Sequence, residues 1–235
     1  MTLIDTKEIQ ALDQLFFRMI ARNLNKEALL WLESKINLIK SEENSSQLSL
    51  TFAQISRFAA KEVLELQAEE SAQINALLPG YALKDWSIER LCRVWILMQI
   101  PYQNKDNYIE KLKYLFATAE MNELVALYSA LPVFYDAEEW ISKCEEGIRS
   151  NIGTILEAIM YHNPYPAHYL SEAAWNQMVL KAFFTEKDSN NVVGLQERAN
   201  LALSDTLNDY IQERLAAHRS VNTEIYKLVN KNINS

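Results

Sequence analysis

The residues best equipped for chemistry sit in the last two fifths of the chain, several of them inside helices that read as apolar. Within Ser171 to Phe184, SEAAWNQMVLKAFF, an amide pair and a cation, Asn176, Gln177 and Lys181, interrupt a core-forming pattern. At about 100° per residue, Trp175, Met178, Val179, Ala182 and Phe183 make one broad apolar arc. Asn176 falls beside Phe183 within that arc, while Gln177 and Lys181 share the narrow strip that remains. A buried amide needs hydrogen-bond partners or costs about 1–3 kcal/mol. Asn176 therefore either ties down the backbone of a neighbouring loop, such as the NPYP turn, or lines a pocket with Gln177 and Lys181. In the helix expected over Asn200 to Arg219, Arg214 lies in the middle of the face made by Leu203, Leu207, Tyr210 and Ile211. It either pairs with an acid or binds an anion. The candidate surface is Arg149, Asn151, Asn176, Gln177, Lys181, Arg198, Asn200 and Arg214, expected where the C-terminal helices meet NPYP. As a binding surface it would hold a partner or a polar ligand. As an active site it would use Lys181 or Glu213 to move a proton and Arg198 or Arg214 to hold an anionic group. A third reading makes all of them structural ion pairs and caps.

Other chemistry finds little support. His162 and His168 flank the turn NPYPA, and neither they nor His218 have a Cys or carboxylate at ligand spacing. A metal site needs three or four converging donors, so no metal and no cofactor are expected. Gly153 and Gly194 are isolated and make no phosphate loop, and no GxSxG elbow or Cys–His pattern occurs. The carboxylates of AEEWISKCEE read as a solvated helix face. A net charge of −8, with 31 acidic against 23 basic residues and no basic cluster, argues against nucleic acid. The two cysteines, Cys92 and Cys144, make no disulfide framework and sit in apolar helical patterns, as buried thiols do. The start MTLIDTKEIQ lacks the basic and apolar regions of a secretory signal, and the longest apolar run, VWILM, is far short of a membrane span. A cytoplasmic protein without a transmembrane segment is expected.

The elements that must position these residues are helices. Four glycines and five prolines in 235 residues leave few breakers, and 49% hydrophobic content allows a large core. Two helices are expected over residues 5–40, broken at RNLN with Asn23 or Asn25 as cap. The polar stretch Ser41 to Gln47 reads as a loop, Leu50 to Glu70 as one long helix, and PGY at Pro79 to Tyr81 as a turn. Pro101, Pro132 and Pro164 recur at intervals of 31 and 32 residues, each after an apolar helical segment. A proline ends a helix through its missing N–H and its ring. Helix pairs at this spacing make an all-α fold of the α-solenoid kind, a right-handed α-α superhelix or HEAT-like array of helical hairpins. A bundle with coincidental prolines is the alternative. The expected division is a helical pair over 1–44, a helical-repeat domain over 45–219 and an amphipathic tail over 220–235.

The chain also resembles the EboA family. The resemblance rests on AEMNELVALYSALP (Ala119 to Pro132), GIRSNI (Gly147 to Ile152), NPYP (Asn163 to Pro166), EAAWNQMVLKAFF (Glu172 to Phe184), GLQERAN and DYIQERLAAHR (within Gly194 to Arg219), and covers roughly residues 85–219. Where family members resemble GLDERANPELA, this chain has Gln196 for the acid and Leu201 for the proline. Where they resemble DYAHERWAAGR, it has Ile211, Gln212 and Leu215 at the alanine, histidine and tryptophan.

The resemblance implies membership of a bacterial gene cluster that traffics precursors of secondary metabolites, as prenyl conjugates, outward from the cytoplasm. Its neighbours there resemble a UbiA-type prenyltransferase, a TatD-like hydrolase, a dehydroquinate-synthase-like protein and a sugar-isomerase-like protein. The expected partners are these proteins or a small metabolite. The resemblance supplies no catalytic residue, so the expectation is a non-catalytic binding or scaffold protein, with an enzyme acting on a polar or anionic metabolite as the alternative.

Overall fold

The computed structural model describes residues 3, 5–41, 46–59 and 61–231. Among them are thirteen α-helices and no strand, with two isolated bridges, Val63 to Ser87 and Tyr161 to Val192. The all-α expectation holds. The chain folds as two compact units, Met1–Trp140 and Ile141–Ser235.

The first unit holds α1 (Thr6–Asn23), α2 (Lys26–Ser41), α3 (Ser46–Gln54), α4 (Ala68–Leu77), α5 (Ile88–Met98), α6 (Lys105–Thr118) and α7 (Met121–Ser129). Local chemistry starts several of these helices. Asp5 and Glu8 form a reciprocal capping box on α1. Asn25 Oδ1 accepts from Ala28 N at 2.9 Å, so the break at RNLN is closed by the second of its two asparagines. Ser41 ends α2 and Ser46 opens α3; residues 42–45 of the expected loop lie outside the described residues.

The expected long helix from Leu50 to Glu70 does not form. α3 stops at Gln54, and a single 3₁₀ turn follows over Ile55–Arg57. The chain then extends, with Leu64 N donating to Trp86 O at 2.7 Å. A new helix starts where Gln67 and Glu70 make a capping box, Gln67 N donating to Glu70 Oε2 at 3.0 Å. That Q-x-x-E signal is local, and it competes successfully with continued helix.

α5 is the hub of this unit. It packs on α1 and α7 and buries Leu91, Cys92, Arg93, Val94, Trp95, Ile96 and Leu97. Two charges lie in that buried surface. Glu89 and Arg93, four apart, form an ion pair with side chains only 5% and 4% exposed. Arg93 Nε also donates to Phe52 O at 3.1 Å, and its guanidinium lies 5.6 Å from the Phe52 ring centre. The pair thus fastens α3 to α5.

The second unit holds α8 (Ile141–Arg149), α9 (Gly153–Met160), α10 (Tyr165–Tyr169), α11 (Glu172–Phe184), α12 (Leu201–Ala216) and α13 (Ile225–Lys231). α8 packs on α9, α11 on α12, and α12 on α13. The three recurrent prolines end helices as expected: α5, α7 and α9 stop at Met98, Ser129 and Met160, short of Pro101, Pro132 and Pro164. No described helix is long and apolar enough to cross a membrane. Among the described residues no group of His, Cys, Asp and Glu is arranged to hold a metal ion.

Both cysteines are buried and free. Burial pushes the Cys92 thiol up to about 12, with Arg93 opposing the shift and Glu89 adding to it. Burial raises Cys144 as well. Neither thiol should react with a water-soluble disulfide reagent at neutral pH, and both should react once denaturant is added. A thiol titrating rapidly under native conditions would contradict this packing. Glu89→Ala strands the Arg93 charge and should cost about 3–5 kcal/mol in urea unfolding.

Candidate functional site

Lys181 sits on the third turn of α11 and reaches across to the end of α8. Its Nζ donates to Ile148 O at 2.6 Å and to Ser150 O at 2.7 Å. A helix C-terminus carries unpaired carbonyls and partial negative charge, and a lysine there answers both. Burial pulls the Lys181 pKa below the ordinary lysine value. Even so, the ammonium is committed to two backbone acceptors, and it acts as a clamp between α8 and α11.

Asn176 is satisfied in a different way. It exchanges side-chain hydrogen bonds with Asn200: Asn176 Nδ2 donates to Asn200 Oδ1 at 3.1 Å, and Asn200 Nδ2 donates to Asn176 Oδ1 at 2.9 Å. Asn200 Oδ1 also accepts from Leu203 N at 2.8 Å, which makes Asn200 the N-cap of α12. The amide inside the apolar arc of α11 therefore orients the cap of the next helix. It does not tie the NPYP backbone, where Asn163 bonds instead to Ala158 O and Tyr165 N.

Arg198 does meet NPYP. Its guanidinium donates to Pro166 O and Ala167 O, both at 3.1 Å, and stacks 4.7 Å from the Trp175 ring centre. Burial lowers its pKa, and Glu172 partly offsets that. The chain reaches this position through Gly194, whose φ is +79°. A Cβ there would lie 2.7 Å from the Ala167 Cβ, so the close approach requires glycine.

Arg214 stands apart from these contacts. Its Nε and one terminal nitrogen donate to Ser220 O at 3.0 and 2.8 Å, and Glu186 lies 3.9 Å away. The acids nearby in sequence, Glu197, Asp209 and Glu213, are not its partners among the ion pairs formed. Arg214 folds the chain back after α12.

Arg149 and Gln177 are both exposed and line one cleft between α8 and α11, of about 230 Å³, with Glu145, Ser171 and Ala174. Asn151 is exposed just beyond α8. The eight residues thus divide into a clamp (Lys181), an amide pair (Asn176 and Asn200), two loop anchors (Arg198 and Arg214) and an exposed edge (Arg149, Asn151 and Gln177).

One cavity escaped the sequence reading. It lies in the first unit among α1, α2 and the end of α5, has a volume of about 490 Å³, and includes Asp13, Phe17, Trp95 and Gln99 in its lining. The available signal was Gln99, an amide inside the run VWILMQI.

Lys181→Met should lower stability by about 2 kcal/mol in chemical denaturation, since two charge-assisted bonds are lost and two carbonyls are stranded. Gln177→Ala should stay within about 0.5 kcal/mol of the parent. Equal effects would mean that Lys181 is no clamp.

Comparison with curated proteins and with solved structures finds no match. Comparison with protein families finds one, EboA, described as metabolite traffic protein EboA, over residues 12–230. The match reaches far beyond the C-terminal motifs and takes in α2 to α7 and most of α1. With nearly the whole chain covered, the protein belongs to the EboA family of metabolite traffic proteins.

Proposed function

We propose that the protein is a non-catalytic binding or scaffold component of a cytoplasmic pathway that traffics secondary-metabolite precursors as prenyl conjugates. Family membership supports the pathway. The commitment of the nominated cations supports a binding role: Lys181 and Arg198, the two whose pKa values are lowered by burial, each donate to two backbone carbonyls. A general acid or base has to reach a substrate proton, and Lys181 is not held for that; Arg198, the anion holder of the enzymatic alternative, spends its guanidinium on Pro166 O and Ala167 O.

The exposed edge of α8 and α11, with Arg149, Asn151 and Gln177, is then the contact surface. Its partners are the prenyltransferase-like, TatD-like or sugar-isomerase-like proteins of the same pathway. The helix pairs ended by Pro101, Pro132 and Pro164 are consistent with a HEAT-like, right-handed superhelical arrangement, an architecture that offers extended binding surfaces.

Tagged full-length protein should retain at least one of these three partners when they are co-expressed. The double variant Arg149→Glu with Gln177→Ala should reduce retention at least about tenfold, a loss of 1.4 kcal/mol or more, with an unchanged unfolding midpoint. Recovery of the protein alone, or equal retention by the variant, would defeat the proposal. Turnover of a prenylated metabolite by the isolated protein would favour the enzymatic alternative.

A further inference from the structure

We propose that the cleft bounded by the ends of α3 and α6 and the starts of α5 and α7 is a binding site for the head group of a zwitterionic α-amino acid. The site lies wholly within the first unit, and its argument is independent of the α8–α11 surface.

Two adjoining cavities, of about 250 and 360 Å³, make up this cleft. Lys61, Glu89, Arg93 and Asn122 line both of them, so the ion pair of α5 stands where the two meet.

One side of that pair is left unsatisfied. Arg93 Nη1 donates to Glu89 Oε1, and Arg93 Nε donates to Phe52 O. Glu89 Oε2 and Arg93 Nη2 have no hydrogen-bond partner among the described residues, yet neither atom is sealed from solvent. Nearly all the rest of both side chains is buried. Ions withdrawn this far from water need their remaining lone pairs and protons answered. Water can answer them singly; a ligand that brings a donor and an acceptor together replaces two waters at once.

The order of charge selects the ligand class. Glu89 and Arg93 present opposite charges side by side to one cleft. An anion drawn to Arg93 also meets Glu89, and a cation drawn to Glu89 also meets Arg93 and Lys61. A molecule with an ammonium and a carboxylate on one carbon meets neither conflict. Its ammonium would donate to Glu89 Oε2, and its carboxylate would accept from Arg93 Nη2. The exposed Lys61 adds a second cation for the carboxylate. Farther out, one cavity sets Asp85 against Arg90. In the other, Glu120 and Glu123 form the capping box of α7, where the helix start offsets their charge. Neither flank overrides the mixed charge of the pair.

The test uses full-length protein at neutral pH and three probes with one skeleton: zwitterionic L-serine, cationic serinol and anionic L-glycerate. Titration calorimetry should show saturable binding of serine, at least about tenfold tighter than that of serinol or glycerate. Glu89→Gln keeps the shape and removes the charge that answers the ammonium, so serine and glycerate should then bind within about threefold of each other. Lys61→Glu, at an exposed position, should weaken serine binding at least about tenfold without weakening that of serinol. If Glu89→Gln fails to fold, Lys61→Glu decides alone. No saturable binding of serine, equal binding of serinol or glycerate by the parent, or an unchanged serine preference in the folded variants overturns the proposal.

Discussion

Unpaired carbonyls at helix ends are the constraint around which this protein is arranged. Each α-helix leaves about four carbonyls without an internal partner, and a fold built from short helices has many such ends. Here side chains from elsewhere in the same unit close several of them. Tyr81 donates its hydroxyl to Ser129 O at the end of α7, Arg93 reaches Phe52 O near the end of α3, and Lys181 takes the last carbonyls of α8. Arg198 does the same for Ala167 O in α10, and Asn163 for Ala158 O in α9. Each bond satisfies a helix and joins two segments of chain at once. Burial of the long cations follows from that double duty.

Glycine scarcity makes the constraint sharper. Helices commonly end with a glycine in the left-handed conformation. Among the described residues two glycines, Gly80 and Gly194, take positive φ, while Asp85, Asp136, His162, Glu186 and His218 adopt it without being glycine. Glu186 and His218 stand just past α11 and α12, where Lys187 N donates to Ala182 O and Arg219 N to Arg214 O. A side chain in this region costs roughly 1–2 kcal/mol. The strain is tolerated because neighbouring contacts, such as Arg214 on Ser220 O, hold the chain in place.

What could be read from sequence follows from the range of the forces involved. Helix existence, the proline stops, the Asn25 cap and the buried thiols are local or depend on apolar pattern alone, and they were legible. The long helix expected over Leu50 to Glu70 failed because its break is stabilised by bonds from Trp86 and Arg93, more than twenty residues away, although the Gln67–Glu70 capping box was there to be seen. The polar residues of α11 could be flagged as anomalous from the helical wheel, and Asn176 was rightly expected to need an internal partner. The wheel could not say that the partner would be Asn200, 24 residues on, because no local rule pairs two amides across a loop. Trp95 looked like ordinary core. Only the packing shows that its N–H lacks an acceptor.

The clamp made by Lys181 has a dynamic consequence. Its two acceptors, Ile148 O and Ser150 O, belong to the end of α8, whereas its backbone belongs to α11. The last turn of α8 cannot shed this cation unless α11 shifts, and α11 cannot undock without leaving those carbonyls bare. Fraying of the one helix and detachment of the other are therefore a single opening event. Amide hydrogens at the end of α8 and in the middle of α11 belong to one cooperative unit of exchange, even though some thirty residues of chain separate them.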